Sequence, residues 1–177
     1  MIFKETKLKG AYIIEVESLN DERGGFARTF CRQEFEKYGL NSSVAQCNIS
    51  YNAKKGTLRG MHYQVAPHCE AKLVTCLTGS IYDVIIDLRV DSTSYCKWLA
   101  VELSERGRRR MLYIPEGFAH GFQTLEDNTD VFYQISEFYA PDQARSVRWN
   151  DPRFQIRWPD NNPTLSERDR LVPDFVP

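Results

Sequence analysis

The stretch "AKLVTCLTGSIYDVIIDLRV", residues 71–90, decides the fold. It holds two short runs rich in β-branched and aromatic residues, separated by little more than Gly79. Such runs read as strands. The same reading extends outward. "AYIIEVES", "SVAQCNISYN" and "GTLRGMHYQ" lie upstream, and "KWLAVELS", "RRMLYIPEG", "GFQTLED" and "DVFYQISEFY" lie downstream. Most are bounded by Gly, Asn, Asp, Ser or Pro. Many short strands at fairly regular spacing predict an all-β sandwich or barrel and not a parallel α/β sheet. One helix is expected around "RQEFEKYG", residues 32–39, with Phe35 and Tyr38 at helical spacing and Gly39 as its stop. From "WNDPRF" at about residue 149 onward, Pro, Asp and Asn predict loops and short turns over the surface. No repeat, low-complexity tract or linker interrupts residues 1–177, so a single domain is expected.

Composition narrows the function classes. The chain has 177 residues, 42% hydrophobic and 27% charged, values ordinary for a globular protein with a sizeable core. A net charge of −1 gives no general attraction to nucleic acid or anionic membrane. No apolar run approaches the roughly 20 residues of a membrane helix, and "MIFKETKLKG" has no apolar signal core. A cytoplasmic protein without membrane or nucleic-acid partners is the expectation. The five cysteines, Cys31, Cys47, Cys69, Cys76 and Cys96, are scattered and form no CxxC pair. Reduced thiols are expected in preference to a disulfide framework or a zinc site. The dense basic run "SERGRRRM", residues 104–111, fits a phosphate patch or a hairpin turn at Gly107 with solvated arginines. The second is expected, because no aromatics are interleaved with the charges.

"PEGFAH" reads Pro115-x-Gly117-x-x-His120 and resembles the second motif of cupin-type jelly rolls. Metal-binding cupins carry His-x-His in their first motif. Here that motif reads His62-Tyr63-Gln64. A neutral amide is a poor transition-metal ligand beside imidazole. The expectation is a cupin barrel without a metal, leaving His62 and His120 for acid–base work. Lys72, Asp83 and Tyr133 each interrupt a mostly apolar strand run. A buried Lys or Asp is costly unless paired. Singly, each fits a structural ion pair or an outward-facing side chain. Together with Arg59 and the histidines, they suggest proton abstraction beside a carbonyl: His takes a proton, Tyr gives one, Lys holds an enolate oxygen. That chemistry needs no cofactor.

"DERGGF", "LRGMHYQ", "AKLV", "YDVIIDLR", "IPEGFAHGF", "VFYQISEFYAP", "WNDP" and "LSERD" follow in this order over roughly residues 10–170. In them the chain resembles the dTDP-4-dehydrorhamnose 3,5-epimerase family. The resemblance implies a jelly-roll barrel, a homodimer whose strands or loops cross between subunits, and no metal. It implies a nucleotide-linked 4-keto-6-deoxyhexose as substrate, inverted at carbons 3 and 5. His62 carries over as the base, Asp169 as the partner that holds and polarises its imidazole, Lys72 as the enolate-stabilising cation and Tyr133 as the opposed acid. Arg59 looks like the sugar- or diphosphate-side arginine. His120 and Asp83 match positions in the same cavity. Arg23, Phe26, Gln46, Asn48 and Tyr139 carry over as substrate-binding positions.

The chain also departs from the family. Arg28 stands where well-known members carry glutamate, and Cys47 replaces the aspartate of Gln-Asp-Asn. These changes leave the nucleotide open between dTDP and CDP or GDP. A monoepimerase, a non-catalytic sugar-nucleotide-binding cupin and a metal-dependent dioxygenase are the competing readings. Arg59 and His62 raise a geometric problem. Three residues apart on a regular strand, they face opposite sides. A bulge or bend at Gly60 is therefore predicted.

Overall fold

The computed structural model describes residues 1–106 and 109–176, so the hairpin turn expected at Gly107 lies outside the described residues. Thirteen strands are described: β1 (Ile2–Glu5), β2 (Tyr12–Glu15), β3 (Ser18–Asp21), β4 (Gly24–Ala27), β5 (Gln46–Asn52), β6 (Leu58–Gln64), β7 (Lys72–Thr78), β8 (Ser80–Asp87), β9 (Trp98–Ser104), β10 (Arg110–Ile114), β11 (Phe118–Thr124), β12 (Thr129–Ile135) and β13 (Ala144–Ser146). Helices α1 (Arg32–Lys37) and α2 (Glu167–Arg170) are short. Two antiparallel sheets face each other as a cupin-type jelly roll. One runs β1-β2-β10-β7-β12-β5, the other β13-β6-β11-β8-β9, and β3 and β4 form a separate hairpin.

The expected strands recur with shifted ends. β1, the β3–β4 hairpin and β13 were not anticipated, because their runs are short and mostly exposed. β11 begins at Phe118, three residues before the expected run. Helix α1 buries Phe35 and stops before Gly39, whose φ of 68° suits glycine.

The burial pattern explains why β8 reads as almost continuously apolar. Ile81 and Ile85 point between the sheets, where they meet Val74, Leu112, Phe122 and Val131. Val84 and Ile86 point to the other face, covered by Val147, Phe154 and Trp158 of the C-terminal segment. With both faces buried, alternation disappears. The six-stranded sheet is covered on part of its outer face by Phe35 and Leu40. Each fully buried aliphatic or aromatic side chain contributes about 1.5–3 kcal/mol.

The C-terminal segment is tied down by specific bonds as well as by packing. Gln123 donates from Nε2 to the Asp160 carbonyl (2.9 Å) and accepts from the Asp160 N–H (2.8 Å). Leu58 N–H donates to the Thr164 carbonyl at 2.9 Å. Ser166 then caps α2, its Oγ accepting from Asp169 N–H at 3.1 Å. All five cysteines are free thiols. Among the described residues, no helix is long and apolar enough to cross a membrane.

Candidate active site

β6 is irregular where the sequence requires it. His62 lies opposite His120, and Arg59 opposite Phe122. Gly60 and Met61 therefore face Gly121 alone, two residues against one. Gly60 has φ 137°, and the Gly60–Met61 peptide is cis. A Cβ on Gly60 would lie 2.4 Å from Gly121 Cα. Met61 packs outward with Leu58 under the C-terminal segment. Arg59 and His62 both line a cavity of about 680 Å³.

Lys72, His120, Tyr133 and Asp169 line the same cavity. His62 and His120 come from the five-stranded sheet, Lys72 and Tyr133 from the six-stranded sheet that faces it. The imidazole and the phenol thus approach the cavity from opposed walls. His62 Nε2 is 2.7 Å from Asp169 Oδ1. Burial alone would raise the Asp169 carboxyl. The hydrogen bond and charge of His62, with Ser166 and the Gly60 N–H, outweigh it and hold the group below its ordinary value. Asp169 is therefore a carboxylate at neutral pH, able to hold a positively charged imidazole.

Burial pushes the Tyr133 phenol far above its ordinary value, and the nearby Asp83 charge pushes the same way. The Ser50 hydroxyl and the Arg59 charge oppose this without cancelling it. A phenol so placed keeps its proton at neutral pH. Lys72 Nζ lies 2.9 Å from Glu70 Oε1 and donates to the His62 carbonyl at 3.3 Å. Arg59 Nε donates to Asn52 Oδ1 at 2.8 Å, while its Nη2 donates to the Tyr51 carbonyl at 3.3 Å. Buried Asn52 is itself fixed by donating to the Thr129 carbonyl at 2.9 Å.

Asp83 does not reach the cavity wall. It is 0% exposed, with its Oδ1 2.6 Å from His120 Nε2. The inward phase of β8 sets it beneath His120, which separates it from the cavity. Its Oδ2 has no hydrogen-bond partner among the described residues. Asp83 is half of a buried pair that supports His120, and His120 is the member that lines the cavity.

A second cleft of about 360 Å³ continues from the first, sharing Asn48, His62 and Lys72. Gln46 and Tyr139 line it. Gln64, at the position of a cupin ligand, is buried and bonded entirely to backbone groups. Among the described residues, no group of three His, Cys, Asp or Glu side chains is arranged to hold a metal ion.

Arg23 and Phe26 lie elsewhere. They sit on the β3–β4 hairpin, which packs toward Thr75 and Leu77 on the outer face of the six-stranded sheet. Neither residue lines either cleft of its own chain. Arg23 pairs locally with Asp21 at 2.6 Å, and Phe26 is 75% exposed. Neither of the two departures lines a cleft. Arg28 pairs with Glu34 at 2.9 Å. Cys47 is opposite Gln134, one residue out of phase with the Asn48–Tyr133 pair, and faces outward.

The sequence reading missed several charged lining residues, among them Glu70, Glu137, Arg145 and Arg168. Arg168 lines both clefts. Its position beside Asp169 in "LSERD" is the only signal in the sequence, and attention to the carboxylate concealed it.

Comparisons with known proteins agree with one another. The family model described as dTDP-4-dehydrorhamnose 3,5-epimerase matches residues 5–176. The chain is 40% identical over 173 residues to the dTDP-4-dehydrorhamnose 3,5-epimerase of Shigella flexneri, covering 97% of this chain and 94% of that one. The crystal structure of the dTDP-4-dehydrorhamnose 3,5-epimerase from Elizabethkingia anophelis superimposes with a TM-score of 0.95 at 39% identity, covering 99% of this chain and 96% of that one. A Legionella pneumophila dTDP-6-deoxy-D-glucose-3,5-epimerase, solved in complex with dTDP-4-keto-L-rhamnose, superimposes with a TM-score of 0.88 at 33% identity, covering 99% of each chain.

Proposed function

This chain belongs to the dTDP-4-dehydrorhamnose 3,5-epimerase family, and from that premise we propose that it converts dTDP-4-dehydro-6-deoxy-D-glucose to dTDP-4-dehydro-L-rhamnose. The observation that carries the reading is the pairing of His62 with buried Asp169 on one wall of a cavity whose other wall presents protonated Tyr133. Inversion removes a proton from one face of the ring and returns one to the other, so it needs a base and an acid on opposed walls. His62 removes the proton beside the ketone, and Asp169 stabilises the imidazolium that forms. Negative charge then develops on the C4 oxygen. Lys72 holds that enolate oxygen, assisted by His120 on its Asp83 support. Tyr133 delivers a proton to the opposite face. Exchange with solvent takes the proton from His62 and reprotonates Tyr133, and the cycle then runs again, so that carbon 3 and carbon 5 are both inverted. A positioned acid or base contributes about 100- to 10,000-fold each.

Arg168 takes the diphosphate, because it is a cation lining both clefts, and Arg59 faces the sugar or the diphosphate from the wall of the first. The nucleoside occupies the second cleft, with Gln46, Asn48 and Tyr139 around it. Arg23 and Phe26 act in trans: the hairpin leaves the site of its own chain and reaches that of a second copy in a homodimer. Support comes from the exposure of Leu19, Phe26, Ile49, Tyr51 and Leu77, apolar side chains of the hairpin and the outer sheet face. Residues 1–177 act as one catalytic domain in the cytoplasm, where nucleotide sugars are made.

The test is incubation with dTDP-4-keto-6-deoxyglucose in heavy water, followed by NMR and trapping by reduction. Deuterium at carbons 3 and 5 with the rhamno configuration supports the proposal. Label at carbon 3 alone would make the chain a monoepimerase. No label with the dTDP sugar, but label with a CDP or GDP analogue, would overturn the nucleotide assignment. Sedimentation of the purified protein tests the dimer, and a monomeric mass would remove the role in trans of Arg23 and Phe26.

A further inference from the structure

Gln64 carries more structural work than its neighbours on β6. Its Nε2 donates to the His68 carbonyl at 2.9 Å and to the Phe138 carbonyl at 3.2 Å. Its Oε1 accepts from the Ala140 N–H at 2.7 Å. Both amide hydrogens and the oxygen are thus engaged, all with backbone. From the other sheet, Gln46 Oε1 accepts from the Tyr139 N–H at 3.0 Å. Residues 138–140 belong to no strand, yet each is held by one of these two side-chain amides. The bonded backbone leaves the Tyr139 side chain 59% exposed as a wall of the second cleft.

We propose that Gln64 is a positioning residue for nucleotide binding, acting by fixing the Phe138–Ala140 backbone so that the Tyr139 ring forms one wall of the nucleoside cleft. The inference rests on the reading of the second cleft as the nucleoside end. Gln64 itself touches no reacting atom. A planar base meets an aromatic face well only when that face is held at a set angle and depth, and a loop without strand pairing does not hold it unaided. The strand position that supplies a metal ligand in metal-binding cupins here supplies the clamp of the rim.

The experiment compares Gln64→Leu, Gln64→Glu, Tyr139→Ala and the double variant Gln64→Leu/Tyr139→Ala. Gln64→Leu removes all three bonds at similar volume. Gln64→Glu keeps the acceptor for Ala140 N–H, loses both donors, and carries the test if the Leu variant does not fold. Steady-state kinetics gives KM and kcat, and calorimetric titration with dTDP gives Kd. Each single variant is expected to raise KM and the dTDP Kd roughly tenfold, the scale of one base–aromatic stack, with a much smaller change in kcat. The double variant is expected to bind no worse than Tyr139→Ala, because both changes remove the same wall. Effects that multiply in the double variant, or a Gln64 variant that lowers kcat at unchanged KM, overturn the inference. A Tyr139→Ala variant with unchanged KM and Kd overturns the underlying reading of the second cleft instead.

Discussion

Replacing Gly60 with alanine tests the geometry on which the active site depends. Two costs follow from the structure. At φ 137° an L side chain is strained, about 1–3 kcal/mol. The new methyl would also meet Gly121 Cα at 2.4 Å and the His120 carbonyl at 3.0 Å. Both are backbone atoms that no rotamer change can move, so forced separation adds about 1–3 kcal/mol. The sum, about 2–6 kcal/mol, is a large share of the roughly 5–15 kcal/mol that hold a domain together. For a chain of this size it lowers Tm by roughly 4–24 °C. Activity falls further than stability, because prying β6 from β11 moves Arg59 and His62 together, and a 1 Å misplacement costs about 100-fold. Gly121→Ala separates the two costs. Its Cβ would meet Met61 Sδ at 2.7 Å and the Arg59 carbonyl at 2.8 Å without the unusual φ. It is expected to be the milder of the two. Thermal melts by circular dichroism and solvent-deuterium exchange by NMR measure both quantities. A Gly60→Ala protein with Tm unchanged within about 1 °C and normal turnover would refute the argument that this close approach brings the two side chains to one wall.

Asp169→Asn leaves His62 without a carboxylate to hold its positive form, and exchange at the sugar carbons should fall about 100- to 10,000-fold while the melt changes little; equal exchange rates would remove Asp169 from the mechanism. Tyr133→Phe should retain proton exchange while blocking completion of at least one inversion, so a fully inverted product at the normal rate would contradict its assignment as the acid. Asp87 gives a pH test remote from the site. Burial would raise its carboxyl, but Arg89, Ser92 and Ser94 outweigh burial and hold it at about 2. A depressed folded value stabilises the native state above the unfolded value near 4 and is lost as pH falls toward 2. Asp87→Asn should therefore cost about 2 kcal/mol at neutral pH, with the gap to the parent closing between pH 4 and pH 2 in acid-unfolding curves; a gap independent of pH would assign the loss to packing.

The sequence made the barrel legible because most strands carry β-branched runs cut by Gly, Asn and Asp. It was weakest where a strand owes its pairing to position and not to composition. The β3–β4 hairpin, "SLND" and "GGFA", has little to bury and pairs only with itself. Among site residues, the parity conflict between Arg59 and His62 pointed to the irregularity at Gly60, a prediction available from counting alone. The His62–Asp169 pair was readable only through the family resemblance, since no local pattern links residues so distant in the chain. Asp83 misled for a physical reason. A carboxylate between isoleucines signals an inward position, yet inward on β8 leads to a place beneath His120 and not to the open cavity. Arg168 was invisible because an exposed arginine on a short helix looks like any solvated charge.

His62 and Asp169 are separated by 107 positions. The segment carrying Asp169 is fastened through Thr164 and Ser166, outside the ladders of the two large sheets. The proposed base therefore meets its counter-charge only when this last stretch of chain is docked. The same docking buries Leu58, Met61, Val84 and Ile86. Assembly of the site and completion of the core are one event, and a change that loosens the segment touches both.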